Sequence, residues 1–283
     1  MNTSKSMLHT EREVYRMNVM ILKVGGSVLA KLPQSFYETV VQLKLSGLCE
    51  PIIVHGGGPE INHALEQLNV ESSFVKGLRK TTQEVLDVAE MVMSGSINKQ
   101  IVTKLGKVGG TALGLSGVDC SLLKVSPVDP SGALGFVGQV EQVNTDWLKL
   151  IMNNGGIPVI SPIGIDESGQ RYNVNGDMAA AAVAQSLQGK LILISDIPGV
   201  MEDIDGKSII HSELTKTQIE KMILSGVIYG GMIPKVRSAL KGLSGGVKES
   251  IILNGLTPID LANYIAGKQV GTKVIIEKEA HYA

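Results

Sequence analysis

Lys23, Lys235 and Asp177 are the residues whose setting suggests chemistry, and glycine-rich turns frame both lysines. Lys23-Val-Gly-Gly-Ser27 and Gly231-Met-Ile-Pro-Lys235 stand near opposite ends of the chain, and His55-Gly-Gly-Gly-Pro59 lies between them. Each glycine run ends an apolar β-branched stretch or opens a helical pattern. Such a turn leaves backbone N–H groups pointing outward with no side chain in the way, which suits oxyanions. Phosphoryl transfer needs little covalent help from a protein; it needs positive charge and N–H donors spread over the transferring group. The spacing therefore reads first as a phosphotransferase.

Each residue also has a purely structural explanation. Lys23 ends an otherwise apolar strand, where an unpaired buried ammonium is costly; it would otherwise have to snorkel out of the sheet. The glycine pair that follows clears space beside it and favours a role in chemistry. Gly25, Gly26, Gly56, Gly57 and Gly58 are candidate N–H donors, because three glycines in a row cost chain entropy that close approach of a ligand would explain. His55 reads as a structural strand-end histidine bonded to backbone. Lys235 opens a helix, a poor place for a cation unless an anion binds there.

Asn173, Asn175 and Asp177 alternate just before an alanine-rich helix. They suit either helix capping or an anionic ligand at the helix N-terminus. Arg79 is either a surface charge or a two-pronged clamp for a carboxylate. Ser195, Asp196, Ile197, Pro198, Gly199, Val200 and Met201 follow a purely apolar strand. A carboxylate-bearing turn there is where α/β sheets bind nucleotides. Gly206-Lys-Ser208 resembles the end of a phosphate-binding P-loop, but Met201 stands where the leading glycine is required. No Gly-x-Gly-x-x-Gly follows a predicted strand.

The elements that must position these residues alternate strand and helix. Strands are predicted at Val19–Val24, Pro51–Val54, Thr111–Leu115, Ser121–Val125, Ile157–Ser161, Leu191–Ile194, Ser250–Leu253 and Lys273–Ile276. An extended segment with a glycine turn is expected at Ser72–Arg79. Helices are predicted at Pro33–Ser46, from Pro59 onward, Thr82–Lys107, Thr145–Asn153, Met178–Leu187, Lys216–Leu224, Met232–Leu243 and Pro258–Ala266. Hairpins are expected at Leu134–Val143 and at Val200–His211 around Asp205-Gly206. The alternation implies an α/β fold with a largely parallel sheet covered on both faces. A boundary is placed near Gly189 within one continuous sheet, giving segments 17–188 and 189–283 after an N-terminal extension, 1–16. That extension reads as a tail or a short helix through Thr10–Tyr15, with Met17 and Met20 as alternative starts.

The chain has 283 residues, enough for one large or two modest domains. A net charge of −1 argues against nucleic acid or an anionic membrane as a partner, and aromatic residues at 4% leave few platforms for stacked bases. No apolar run reaches membrane-spanning length and the start lacks a signal-peptide core, so the cytoplasm is expected. The two cysteines, Cys49 and Cys120, are expected to be reduced, and no zinc-site spacing occurs.

Taken together, Lys-x-Gly-Gly-Ser, Val-His-Gly-Gly-Gly, Gly-Leu-Arg-x-Thr, Asn-Val-Asn-x-Asp, Ser-Asp-x-x-Gly-Val and Gly-Gly-Met-x-x-Lys resemble the amino acid kinase family, in its order, from Val19 to Ile276. The resemblance is closest to the branch that phosphorylates N-acetyl-L-glutamate in arginine biosynthesis. It implies a three-layer αβα sandwich around a mainly parallel central sheet, with the acyl amino acid held by the first part and ATP by the second. By the same resemblance, Lys23 would hold the γ-phosphoryl group, Lys235 would contact the phosphates from the nucleotide side, and Asp177 would orient both lysines. Gly25, Gly26 and Gly56 would serve the phosphoryl group, and Gly57, Gly58, Arg79, Asn173 and Asn175 the substrate. Ser195 to Met201, with Val227, Ile228 and Tyr229, would line the adenosine site. Mg2+ would be held mainly by ATP oxygens, with no protein ligand assigned. The segment Ala266–Thr272 fits the pattern of arginine-inhibited relatives poorly, so the resemblance implies an arginine-insensitive homodimer. The alternatives are an aminoadipate-type kinase of lysine biosynthesis, a carbamate kinase, or a non-catalytic amino-acid or nucleotide sensor. A sensor would usually have lost a lysine or the aspartate.

Overall fold

The computed structural model describes residues 18–75, 77–204, 206–247 and 249–276. The N-terminal extension, with the tail or short helix expected through Thr10–Tyr15, lies outside the described residues, as does Asp205 at the expected hairpin tip.

In chain order the first elements are β1 (Val19–Val24), α1 (Gly26–Leu29), α2 (Gln34–Leu45), β2 (Glu50–His55), α3 (Gly58–Gln67), β3 (Phe74–Val75) and β4 (Leu78–Arg79). Next come α4 (Gln83–Glu90), a π-helical turn Met91–Ile97, α5 (Asn98–Lys107), β5 (Ala112–Ser116), β6 (Leu123–Pro127), β7 (Val137–Val143), α6 (Thr145–Asn153), β8 (Ile157–Ser161), β9 (Ile163–Ile165) and β10 (Arg171–Val174). The remainder is α7 (Gly176–Ser186), β11 (Lys190–Ser195), β12 (Met201–Ile204), β13 (Lys207–Ile210), β14 (Glu213–Thr215), α8 (Lys216–Leu224), α9 (Met232–Ser244), β15 (Glu249–Asn254), α10 (Ile259–Ile265) and β16 (Thr272–Ile275).

The main sheet has eight strands in the order β14-β16-β15-β11-β1-β2-β8-β5. Only β15 and β16 pair antiparallel within it. Continuous apolar runs such as Val19–Leu22 and Leu191–Ile194 are what a strand buried on both faces requires. Alternation then sorts β1: Val19 and Ile21 join the core under α6, α7, α8 and α9. Met20, Leu22 and Val24 join the opposite core with α2, α5 and α10. This is the expected three-layer αβα sandwich. The period of two also puts Lys23 on the α7 side of the sheet. Because β11 pairs directly with β1, the division at Gly189 falls between neighbouring strands of one sheet.

Two features depart from expectation. Leu134–Val143 is not a hairpin: only Val137–Val143 is extended, and it pairs antiparallel with β6 across a long loop. With β9 and β10 these strands close a small barrel, β10-β7-β6-β9. The predicted helix over Thr82–Lys107 is continuous, but its middle widens into the π-helical turn that contains Gly95. Both cysteines are free, Cys49 buried and Cys120 exposed. Among the described residues no helix is long and apolar enough to cross a membrane.

Candidate active site

The C-terminal ends of parallel strands are where open α/β sheets leave a crevice, and here the ends of β2, β1 and β11 lie side by side. Val24 is in register with His55 on one side and Ile194 on the other. The glycine turns after β1 and β2 are joined by Gly56 N–H donating to Val24 O at 2.9 Å. Their glycines serve different purposes. A Cβ on Gly26 would lie 2.7 Å from the Pro59 ring and 3.0 Å from Gly58 N, and one on Gly57 would lie 2.6 Å from Ile97 Cδ1. Packing therefore demands glycine at 26, where a proline ring and a backbone nitrogen stand in the way, and favours it at 57, where the Ile97 and Met93 side chains would have to shift. Gly58 faces open space, and a Cβ on Gly25 would make only ordinary contact with Lys23 Nζ, at 3.5 Å.

Lys23 Nζ lies 2.8 Å from Asp177 Oδ1. Asp177 sits in the first turn of α7, whose cap is Asn175: its Oδ1 accepts from the N–H of Asp177 at 2.9 Å and of Met178 at 3.2 Å. Lys235, from the first turn of α9, reaches back to the end of β11. Its ammonium donates to Ser195 Oγ at 2.8 Å and lies 3.6 Å from Asp196 Oδ1. Burial pulls the Lys235 pKa down, Asp196 opposes that, and Lys23 and Asp177 both act on it electrostatically. Lys31 adds a further cation, 3.1 Å from Asp196 Oδ2; its hydrogen bond is the main reason the Asp196 carboxyl lies below its ordinary value. The result is two neighbouring cations at the strand ends, Lys23 and Lys235, each with a carboxylate of its own, Asp177 and Asp196, the second of which is shared with Lys31.

Two hollows open beside this array. The smaller, about 160 Å3, is bounded by Gly56–Gly58, Ile61, Phe74, Met93, Pro162, Asn173 and Asn175, with Arg79 the one charged side chain on its wall among the described residues. Arg79 is 7% exposed and all its partners are neutral: Nη1 donates to Ser72 Oγ at 2.5 Å, and Nη2 donates to Asn62 Oδ1 at 2.6 Å. Its guanidinium stacks 4.6 Å over the Phe74 ring. A buried guanidinium without a carboxylate is poised for an anionic ligand. The larger hollow, about 660 Å3, runs from Asp196 to Asp203 and from Ser225 to Met232, with Lys235 on its wall.

His55 is fully buried. Desolvation drives its pKa down to about 4, so the ring is neutral. Its Nδ1 lies 3.0 Å from Gly56 O and its Nε2 is 3.3 Å from Asn98 Nδ2, which fits a neutral ring donating from Nδ1 and accepting at Nε2. The structural reading of His55 agrees with this.

The sequence profile of the Amino acid kinase family matches residues 18–254. The chain belongs to the amino acid kinase family. Over 266 residues it is 60% identical to the acetylglutamate kinase of Oceanobacillus iheyensis, covering 94% of this chain and 100% of that protein. It is 44% identical over 256 residues to the acetylglutamate kinase of a Geobacillus species (strain WCH70), covering 90% and 96%. Among solved structures it is similar to smu.665 from Streptococcus mutans UA159, at 27% identity and a TM-score of 0.77, covering 91% and 98% of the two chains. It also shares its fold with the carbamate kinase of Giardia lamblia bound to AMP-PNP, at 16% identity and a TM-score of 0.67, covering 93% and 100%.

In this amino acid kinase most residues singled out in the sequence gather at the strand ends. Of the expected adenosine-site residues, Asp196, Ile197, Gly199, Val200, Met201, Val227, Ile228 and Tyr229 line the larger hollow. Ser195 is instead fully buried and holds Lys235, and Pro198 is not on that wall. Asp177 directly holds one lysine, not two; Ser195 and Asp196 hold the other. Sequence reasoning missed Ser72, Asn62 and Lys31, because nothing near them in sequence marks a partner that lies 7, 17 or 165 positions away.

Proposed function

We propose that this chain is an N-acetyl-L-glutamate kinase, transferring the γ-phosphoryl group of ATP to the γ-carboxylate of N-acetyl-L-glutamate. The observation that carries the reading is the Lys23–Asp177 pair beside Lys235, with a one-cation hollow on one side and a nucleotide-sized cleft on the other. The names of the relatives at 40–60% identity point to the same acceptor.

The acceptor carboxylate is ionised at neutral pH and needs no general base. It attacks the γ-phosphorus, a new O–P bond forms, and the bond to the β-phosphate oxygen breaks to release ADP. Charge spreads over the equatorial oxygens, which Lys23 meets from the β1 side and Lys235 from the nucleotide side. Asp177 holds the Lys23 ammonium in place; Ser195 and Asp196 hold that of Lys235. Gly25, Gly26 and Gly56 to Gly58 present N–H groups beside the transferring group. Arg79 binds the α-carboxylate and Asn173 the acetamido group. Asn175 contributes by capping α7 and so placing Asp177. In this reading segment 17–188 supplies the acid-binding lobe and segment 189–283 the nucleotide lobe.

Among the described residues no three or more His, Cys, Asp or Glu side chains come together as a metal cage, and Asp177 and Asp196 are each engaged by a lysine. If a Mg2+ ion arrives on ATP oxygens, Asp177 and Asp196 are the carboxylates of this site that could help to hold it. Bound there, the ion offsets phosphate charge. A cytoplasmic homodimer is part of the same proposal.

The test is a coupled ADP-release assay offering N-acetyl-L-glutamate, an N-acylated aminoadipate and carbamate in parallel. Turnover is expected on the first. No turnover on it, with or without turnover on the others, rejects the assignment.

A further inference from the structure

We propose that Thr81 is a positioning residue for the acyl amino acid, acting through a hydroxyl that ties Arg79 to Asn173. The inference rests on the functional reading above and deepens it.

Thr81 is fully buried and lies between the short β3–β4 hairpin and α4. A threonine hydroxyl offers one hydrogen and two lone pairs, and both kinds of site are used here. Oγ1 donates to the carbonyl of Arg79 at 2.8 Å and accepts from Asn173 Nδ2 at 3.2 Å. The main chain of Thr81 is committed as well: its N–H donates to Leu134 O at 2.9 Å and its carbonyl accepts from Phe136 N at 2.7 Å. Phe136 O in turn accepts from Asn173 N at 2.9 Å. The approach is tight, since a Cβ on Gly135, at φ +67°, would lie 2.2 Å from Thr81 O. Thr81 thus fixes the Arg79 hairpin, the 134–136 loop and β10 to one another at a single point.

The consequence lies in which end of the Asn173 amide meets the ligand. An amide side chain can present either its carbonyl or its NH2 group. With Nδ2 held by Thr81, the carbonyl Oδ1 is the end left for a ligand donor, and the N–H of an acylated amine is such a donor. Losing the hydroxyl frees the amide to turn over, setting N–H against N–H, and leaves the Arg79 carbonyl short of a partner in a buried place. Thr81 touches no reacting atom, so its loss should weaken binding of the acid without slowing phosphoryl transfer.

The experiment compares Thr81→Val, which keeps the shape, with Thr81→Ser, which keeps the hydroxyl. KM for both substrates, kcat and Tm are measured for each. Thr81→Val should raise KM for N-acetyl-L-glutamate at least tenfold, with KM for ATP and kcat within about threefold of wild type; Thr81→Ser should restore it. A KM for the acid within twofold of wild type overturns the proposal. So does an equal rise in both KM values, or a Thr81→Ser variant as impaired as Thr81→Val. Should Thr81→Val fail to fold, Thr81→Ala, which removes the hydroxyl without adding bulk, carries the test: it must give the same selective rise, and a normal KM for the acid overturns the proposal. Titration calorimetry separates this from the identity of the reaction. A wild type that binds N-acetyl-L-glutamate without phosphorylating it sinks the kinase assignment, while weaker binding by Thr81→Val would still uphold the role of Thr81.

Discussion

The hollow around Arg79 and the cleft around Tyr229 open beside the two neighbours of β1, and they are built on different principles. On the β2 side the structure is finished in advance. Arg79 is held by Ser72, Asn62 and the Phe74 ring; Met93 and Ile61 are buried; Gly26 has no room for a methyl group, and one on Gly57 would need Ile97 and Met93 to shift. On the β11 side Tyr229 is 75% exposed, the β12–β13 ribbon is largely solvated, and a Cβ on Gly231 would meet nothing within 4 Å. A preformed site spends little of its binding energy on ordering, whereas an open one gains contacts only when the ligand arrives. Selectivity for the acid should therefore be brittle, and affinity for the nucleotide forgiving.

The largest effect should come where the two sides meet. Lys23→Met and Lys235→Met remove positive charge from the transferring group, and each should lower kcat by about 10^3-fold or more. Only Lys235→Met should also raise KM for ATP noticeably, because Lys235 alone of the two lines the larger cleft. Either variant retaining kcat within tenfold of wild type would break the account. Asp177 and the two lysines are all present, as catalysis on this pattern requires.

The buried character of the β2 side has a pH signature. His55 carries a folded pKa of about 4 against an ordinary 6.5. The unfolded chain takes up the proton first, so stability from this group is complete above about pH 6.5 and is lost as pH falls toward 4. The shift corresponds to about 3 kcal/mol at most. An NMR titration should find one imidazole that stays neutral at pH 5; His55 titrating near its ordinary value would contradict the burial described.

Arg79→Lys tests brittleness directly. A lysine cannot keep the two-nitrogen arrangement shared with Ser72 and Asn62, and KM for the acid should rise about 30-fold, near 2 kcal/mol. KM for ATP should stay put. A parallel rise in both would mean that the sides are not separable.

The glycines offer the next contrast. Gly26→Ala forces a methyl group onto a proline ring and a backbone nitrogen, neither of which can swing away, and should cost about 1–3 kcal/mol in a denaturant melt. Gly231→Ala adds a methyl group in open space at a right-handed φ of −67° and should leave stability within about 1 kcal/mol of wild type. Equal melts for the two variants would erase the distinction.

How far these features could be read from sequence follows the same division. Most strands of the main sheet were legible from their apolar runs, and β1 and β8 match their predicted bounds, but β14 was missed because the three residues Glu213–Thr215 hold a single apolar side chain. The small barrel was not: β9 and β10 are three and four residues long, and β9 pairs with β6 at a single register position. Nothing local encodes such a closure. At the site, Lys23 and Asp177 were legible because a charge at an apolar strand end and a capped helix both call for partners. The glycines at 26 and 57 were read as space for a ligand, and the structure adds a packing reason beside that one: a side chain at either would press on a neighbouring part of the chain. Chain entropy explains why a glycine is unusual at such a place, but it does not say which neighbour excludes the side chain. The partners of Lys235 were hidden for a related reason, since Ser195 belongs to a different turn, 40 positions away.

The smallest expected effect is also the sharpest probe of the open side. Tyr229 lies on the rim of the larger cleft, three-quarters exposed, and its ring is the only aromatic side chain on that wall among the described residues. An exposed ring recovers little desolvation energy when it covers a ligand, so Tyr229→Ala should raise KM for ATP only two- to fourfold, under about 1 kcal/mol. A rise of 30-fold, matching Arg79→Lys, would mean that the ring closes over the nucleotide and becomes buried. In that event the cleft would be as specific as the acid hollow, reaching that state by movement where the hollow starts in it.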